Sequence, residues 1–254
     1  MIYFKCFSLF LAFIKTHILK AAIILGSGLN KIKTELLHSR ELYSDPDGFH
    51  RAEALEGKLF GNDVILFSGR RHFYEGYTPD EILYFVRMAH VQKAELLIIS
   101  NAAGGVNPSL KVSDLMVITS FVNFIKSVFP FKRSNCALNR EKLDVIKELG
   151  LKNFLNLKFG TYCSNSGPNY ETRSEIRFLL NAGIDAIGMS TVPEIITGNN
   201  LGMKVIGISC ISNLLSENAE FETNHEEVVE AGNASYNKFS KLIELILNNS
   251  KRFV

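Results

Sequence analysis

Close cysteine pairs are missing from this 254-residue chain: Cys6, Cys136, Cys163 and Cys210 are scattered along it. That excludes a zinc knuckle and a redox dithiol and leaves buried or idle thiols of a reducing compartment. An excess of one charge is missing too. Lys+Arg number 28 against 26 Asp+Glu, a formal net charge of +2. With no long basic run there is no electrostatic footprint for nucleic acid, whereas a small anion needs only a few local donors. No apolar stretch reaches the roughly 20 uninterrupted residues that span a bilayer. The opening segment Met1–Lys20 is broken by Lys15 and lacks a small-residue cleavage site. It therefore reads as an N-terminal helix on the domain, not a cleaved signal, and the protein as cytoplasmic with no membrane partner. Linkers, repeats and low-complexity tracts are also lacking, so residues 1–254 read as a single domain.

What is present is a 46% hydrophobic chain whose apolar residues come in short runs. Ala21–Leu25, Val64–Phe67, Leu96–Ile99, Leu115–Ile118, Ala186–Met189 and Val205–Ser209 are mostly apolar throughout, as strands covered on both faces are. Stretches of helical period lie between them: Pro79–Ala94, Arg140–Leu149, Ser174–Ala182, Val192–Leu201 and Glu226–Leu247. Ser120–Phe159 is the least regular region. Alternating strands and helices predict an α/β domain with a mostly parallel sheet flanked by helices, with ligands at the carboxyl ends of the strands.

Several strands run into residues suited to anions or flat rings. Gly26-Ser27-Gly28 follows the first strand, where glycines permit a tight turn and expose N–H groups and a hydroxyl. Lys31 stands where a dinucleotide fingerprint needs its third glycine. The segment from Gly69 to Gly76 packs Arg70, Arg71, His72 and Tyr74 together. If the strand persists, Arg70 and His72 face one side and suit a forked grip on a tetrahedral oxyanion. Ser100-Asn101-Ala102-Ala103-Gly104-Gly105 offers small residues with backbone donors at the next strand end. In Gly167-Pro168-Asn169-Tyr170-Glu171-Thr172 the aromatic can stack on a base and the carboxylate can accept from ring N–H groups. In Gly188-Met189-Ser190-Thr191-Val192-Pro193-Glu194, Ser190 or Thr191 is placed to cap a helix with proline in its first turn.

Together GSGL, GRRHFYEG, NAAGGVNP, GPNYET and GMSTVPE resemble, in order and context, the trimeric purine nucleoside phosphorylases. The likeness runs from about Ala21 to about Gly232. It implies the phosphorylase/hydrolase-like α/β fold with a central mixed sheet, and a homotrimer. It implies phosphate held by Ser27, Arg70, His72, the backbone N–H of Ala102, and Ser190, with His50 where the family's loop histidine falls. Ribose falls to Tyr74 and Met189, and its 5′-hydroxyl to His225. The base falls to Tyr170, where the family usually has Phe, and to Glu171 and Asn213.

The implied reaction is phosphorolysis of purine nucleosides. Phosphate attacks an anomeric carbon of oxocarbenium character while Asn213 and Glu171 hold the departing purine. His72 and His225 complete the catalytic group, and no metal or organic cofactor is needed. Asn at 213, rather than Asp, favours inosine and guanosine over adenosine and methylthioadenosine, because its amide both donates and accepts as N7 and O6 require.

Two regions depart from the family. The phosphate loop survives only as Gly48-Phe49-His50, and after Asn123 the family's RFPDMS-like segment, which lends a Phe to the neighbouring subunit's sugar pocket, is replaced by a stretch whose Phe129 or Phe131 reads equally as its substitute or as core. Two other readings follow: a methylthioadenosine phosphorylase-like enzyme, disfavoured by Asn213, and a catalytically impaired nucleoside-binding relative, suggested by the shortened loops.

Overall fold

The structure is a computed structural model that describes residues 19–47, 51–125, 140–216 and 225–254, without the side chains of 140 and 225–229. His50, Phe129, Phe131, Cys6, Cys136 and all but the end of the expected N-terminal helix fall outside the described residues, as does the side chain of His225.

Among the described residues nine strands form one mixed sheet: β1 (Ala21–Ile24), β2 (Leu37–Asp45), β3 (Ala52–Leu59), β4 (Asn62–Ser68), β5 (Leu96–Gly105), β6 (Leu115–Asn123), β7 (Leu157–Ser164), β8 (Ala186–Gly188) and β9 (Lys204–Leu214). Their order is β2-β3-β4-β1-β5-β8-β7-β6-β9, and β9 returns to pair with β5. The last five strands thus close on themselves, while β1 to β4 extend as a wing. β1 is parallel to β4 and β5, and β5 is parallel to β9. The wing's β2 and β3, and the β5–β8 and β6–β9 pairs, are antiparallel.

Strand pleating divides the core. In β1, Ala21 and Ile23 point into one layer and Ala22 and Ile24 into the other. The first layer is closed by α3 (Arg140–Lys152) and α6 (His225–Asn248), the second by α2 (Tyr84–Val91) and α5 (Val192–Asn200). Covering on both faces is why these strands need no polar side and read as continuous apolar runs. No helix among the described residues is long and apolar enough to cross a membrane.

Four expectations change. The helix expected over Pro79–Ala94 is broken at Leu83 into α1 (Pro79–Ile82) and α2, Leu83 having ψ near 3°. β2 and β3 carry no continuous apolar run: β2 is largely exposed, and in β3 only Ala52, Ala54 and Leu59 are buried. The irregular region contains all of α3, which carries the helix expected over Arg140–Leu149 on to Lys152, and the start of β7. Finally, Asn101–Gly105 and Asn213 lie within strands rather than beyond them, Ala102 paired with Cys210 and Gly104 with Asn213. Cys163 and Cys210 are buried free thiols.

Candidate active site

The turn after β1 is squeezed from two sides, which explains its glycines. A Cβ on Gly26 would lie 2.5 Å from Asn101 Cα, and one on Gly232 of α6 would lie 2.6 Å from Gly28 Cα. Gly28 itself has φ 76°. The Gly26 N–H donates to Ser100 Oγ at 3.1 Å, so Ser27 is presented on a turn tied to β5.

The strand before Arg70 does not persist. It stops at Ser68 because Gly69 takes φ +74°, where a Cβ would lie 1.9 Å from the Arg51 carbonyl oxygen. Arg70 and His72 nevertheless reach the same cavity. Arg70 does not offer an open fork: its Nε donates to Glu194 Oε1 at 3.0 Å and its Nη2 to the Ser100 carbonyl at 2.9 Å. Nη1 reaches Ser190 Oγ at 3.3 Å. His72 Nδ1 meets Glu75 Oε1 at 2.8 Å, and its ring stacks on Tyr74 with centroids 5.1 Å apart.

Ser190 belongs to a strained corner. Thr191 has φ +80° and ψ −50°, and the Val192 N–H donates across it to the Ser190 carbonyl at 3.0 Å. A β-branched residue in that conformation is uncommon and persists only where its surroundings over-determine it. They do so here. The Ser190 carbonyl also accepts from Tyr162 Oη at 3.2 Å and Ser164 Oγ at 3.0 Å. The Thr191 hydroxyl accepts from Asn101 Nδ2 at 2.8 Å, and the Thr191 N–H donates to Glu194 Oε2 at 3.0 Å. Thr191, rather than Ser190, is the residue at the start of α5.

The other end of the cavity is built by the loop from β7 to α4 (Arg173–Asn181). Gly167, with φ +67°, is packed so that a Cβ would sit 2.5 Å from Met189 Sδ and 2.9 Å from Tyr74 Cδ1. Three strand-end loops therefore meet at this point. Thr172 caps α4 through a reciprocal pair with Glu175, which fixes the residues just before it. Tyr170 is 45% exposed. Burial pushes the Glu171 carboxyl above the ordinary Glu value, opposed by hydrogen bonding that includes the Asn165 side chain. The Cys163 thiol is pushed up to about 12, first by burial and then by the charge of Glu171. In β9, the Ser212 hydroxyl donates to Asn213 Oδ1 at 2.8 Å and fixes the amide.

One cavity of about 440 Å³ collects these groups. Ser27, Arg70, His72, Ala102 and Ser190 line it, as do Tyr74 and Met189, and Tyr170, Glu171 and Asn213. A second hollow of about 440 Å³ shares Ser27, Arg70 and His72 and extends toward Lys33, Arg51 and Glu53. Thr197 and Gly198 lie in α5, Gly198 packed against Val205 and Leu97. Sequence reasoning missed the supporting residues Ser100, Asn165, Ser212 and Glu194. Glu194 carried a signal: it is a lone carboxylate among Val192, Pro193, Ile195 and Ile196, all buried, and a buried charge there requires a partner.

The sequence model of the phosphorylase superfamily matches residues 20–248. The chain is 36% identical over 258 residues to purine nucleoside phosphorylase 1 of Bacillus subtilis, covering 93% of this chain and 95% of that protein. Among solved structures, isoform 2 of the Schistosoma mansoni purine nucleoside phosphorylase, in complex with cytosine and ribose 1-phosphate, superposes with a TM-score of 0.81 at 27% identity, covering 94% of this chain and 93% of that one. A schistosome purine nucleoside phosphorylase in complex with hypoxanthine gives 0.78 at 27% identity, covering 93% and 94%.

Proposed function

The chain belongs to the phosphorylase superfamily and within it to the purine nucleoside phosphorylases, and from that premise we propose that it acts on 6-oxopurine nucleosides. Inosine, guanosine and their deoxy forms are split by orthophosphate into free base and (deoxy)ribose 1-phosphate, a purine-salvage reaction. The observation that carries this reading is one cavity lined both by the anion donors Ser27, Arg70, His72 and Ser190 and by the pair Glu171 and Asn213.

In this reading Ser27, Arg70, His72, Ser190 and the Ala102 N–H hold orthophosphate beneath the sugar, which converts part of the barrier into binding free energy. Tyr74 and Met189 bound the ribose, with His225 at its 5′-hydroxyl and His50 on the phosphate. The purine stacks on Tyr170. As the glycosidic bond breaks, electrons flow into the base, and Asn213 stabilises it at N7 and O6. Its side-chain amide carries both an acceptor oxygen and a donor NH₂, the pair of functions that N7–H and O6 of the departing base call for. Ionised Glu171 accepts from the ring N–H groups. Loss of a comparable transition-state donor costs about 10²–10³ in rate. Orthophosphate is the co-substrate, no metal or organic cofactor takes part, and the assembly is a cytoplasmic homotrimer.

Initial rates at saturating orthophosphate test the base preference. Inosine and guanosine are expected to exceed adenosine and methylthioadenosine in kcat/KM by about 10² or more, because a mismatched hydrogen-bonding edge leaves buried polar groups unpaired. Preference for a 6-amino nucleoside would overturn the role given to Asn213. Folded protein without turnover on any of the four would leave a nucleoside-binding relative.

A further inference from the structure

We propose that Glu194 is the positioning residue of the phosphate site, its two carboxylate oxygens separately setting the donors Arg70 and Ser190. The inference rests on the reading above, in which those two residues hold orthophosphate. Glu194 is 2% exposed and Arg70 6%, and Glu194 is not among the residues lining the main cavity. It acts from behind.

The first oxygen fixes the guanidinium. With Nε on Glu194 Oε1 at 3.0 Å and Nη2 on the Ser100 carbonyl at 2.9 Å, two of the three nitrogens of a planar group are tied. The plane then has one orientation, and Nη1 is the nitrogen beside Ser190 Oγ at 3.3 Å. The second oxygen fixes the corner that carries Ser190. Glu194 Oε2 accepts from the Thr191 N–H at 3.0 Å and so holds a residue at φ +80° that would otherwise relax. An ionised carboxylate accepts on both oxygens, as two N–H donors require. An amide of the same shape cannot meet both, because its NH₂ must face either the guanidinium or the Thr191 N–H. A lone buried ion pair elsewhere in the core would make no demand on phosphate. This one does, through the two groups it holds.

The test is Glu194→Gln in the full chain, read as the KM for orthophosphate against the KM for inosine, with orthophosphate binding measured by calorimetry in the absence of nucleoside. Hydrogen bonds to charged groups of this kind are worth about 10- to 100-fold. The expected result is therefore a phosphate KM and Kd raised by about that factor, with the inosine KM held within about threefold. Glu194→Asp keeps the charge but shortens the reach, and should raise the phosphate Kd in the same direction. Unchanged phosphate binding in folded Glu194→Gln, or equal shifts in both KM values, overturns the proposal while leaving the phosphorylase reading intact. Failure of both variants to fold also overturns it, in favour of a purely structural pair. If the wild-type protein binds no orthophosphate, the phosphorylase reading and this proposal fall together.

Discussion

Two carboxylates, one in the cavity wall and one behind it, are held in opposite ways. Glu194, behind Arg70 and Ser190, is ion-paired to Arg70 and accepts a backbone N–H. Glu171, in the cavity wall, is raised above its ordinary pKa by burial, and the side-chain donor that opposes this is the neutral Asn165. Removing one partner of a buried ion pair strands the other charge, whereas removing a carboxylate that burial already disfavours relieves a cost. The surroundings of Arg70 are thus tied into the fold, whereas Glu171 carries a burial cost.

The largest effect expected from this contrast is that of Arg70→Ala, which leaves Glu194 buried without its cation. Unfolding free energy should fall by about 3–5 kcal/mol in denaturant titrations, and a loss under about 1 kcal/mol would break the contrast. Glu171→Gln should do the reverse. A folded-state carboxyl pKa raised above the unfolded one stabilises most at low pH, and that contribution is lost as pH rises through the raised value. At neutral pH the neutral amide should therefore leave Tm unchanged or higher, while kcat/KM for inosine falls about 10²-fold. Nucleoside KM should also worsen as pH falls through a value above that of ordinary Glu, because protonation removes an acceptor.

Smaller changes sharpen the same comparison. Gly26→Ala forces a Cβ to within 2.5 Å of Asn101 Cα, where backbone must move. An overpacking cost of about 1–3 kcal/mol should appear in denaturation, together with a weaker grip on phosphate. Tyr170→Phe, at the exposed position proposed to stack on the base, should change kcat/KM by no more than about threefold, since the ring face is retained. A drop beyond tenfold would mean that the hydroxyl reads the substrate.

The apolar strands β1, β4 and β5 were legible because both faces are covered. The wing hairpin β2–β3 was not, since Leu37–Asp45 reads as polar surface and forms a strand only by pairing with β3. Asn213 looked like loop because Ser212 and Asn213 interrupt the apolar run of β9, yet both are buried and bonded to each other. The residues that line the cavity stood out by side-chain type at strand ends. Their supports did not: Arg70 and Glu194 are 124 positions apart, and Ser100 acts on Arg70 through its carbonyl, which no side-chain pattern marks. Strain at Thr191 was likewise invisible, because the segment also reads as an ordinary helix cap.

The most direct test of the central claim is hypoxanthine release from inosine with and without orthophosphate, with ribose 1-phosphate quantified in the same reaction. Phosphate-dependent release with one ribose 1-phosphate formed per hypoxanthine is the predicted result. Release that proceeds equally without phosphate and yields free ribose would contradict it, because the donors gathered around Arg70 would then hold no attacking anion.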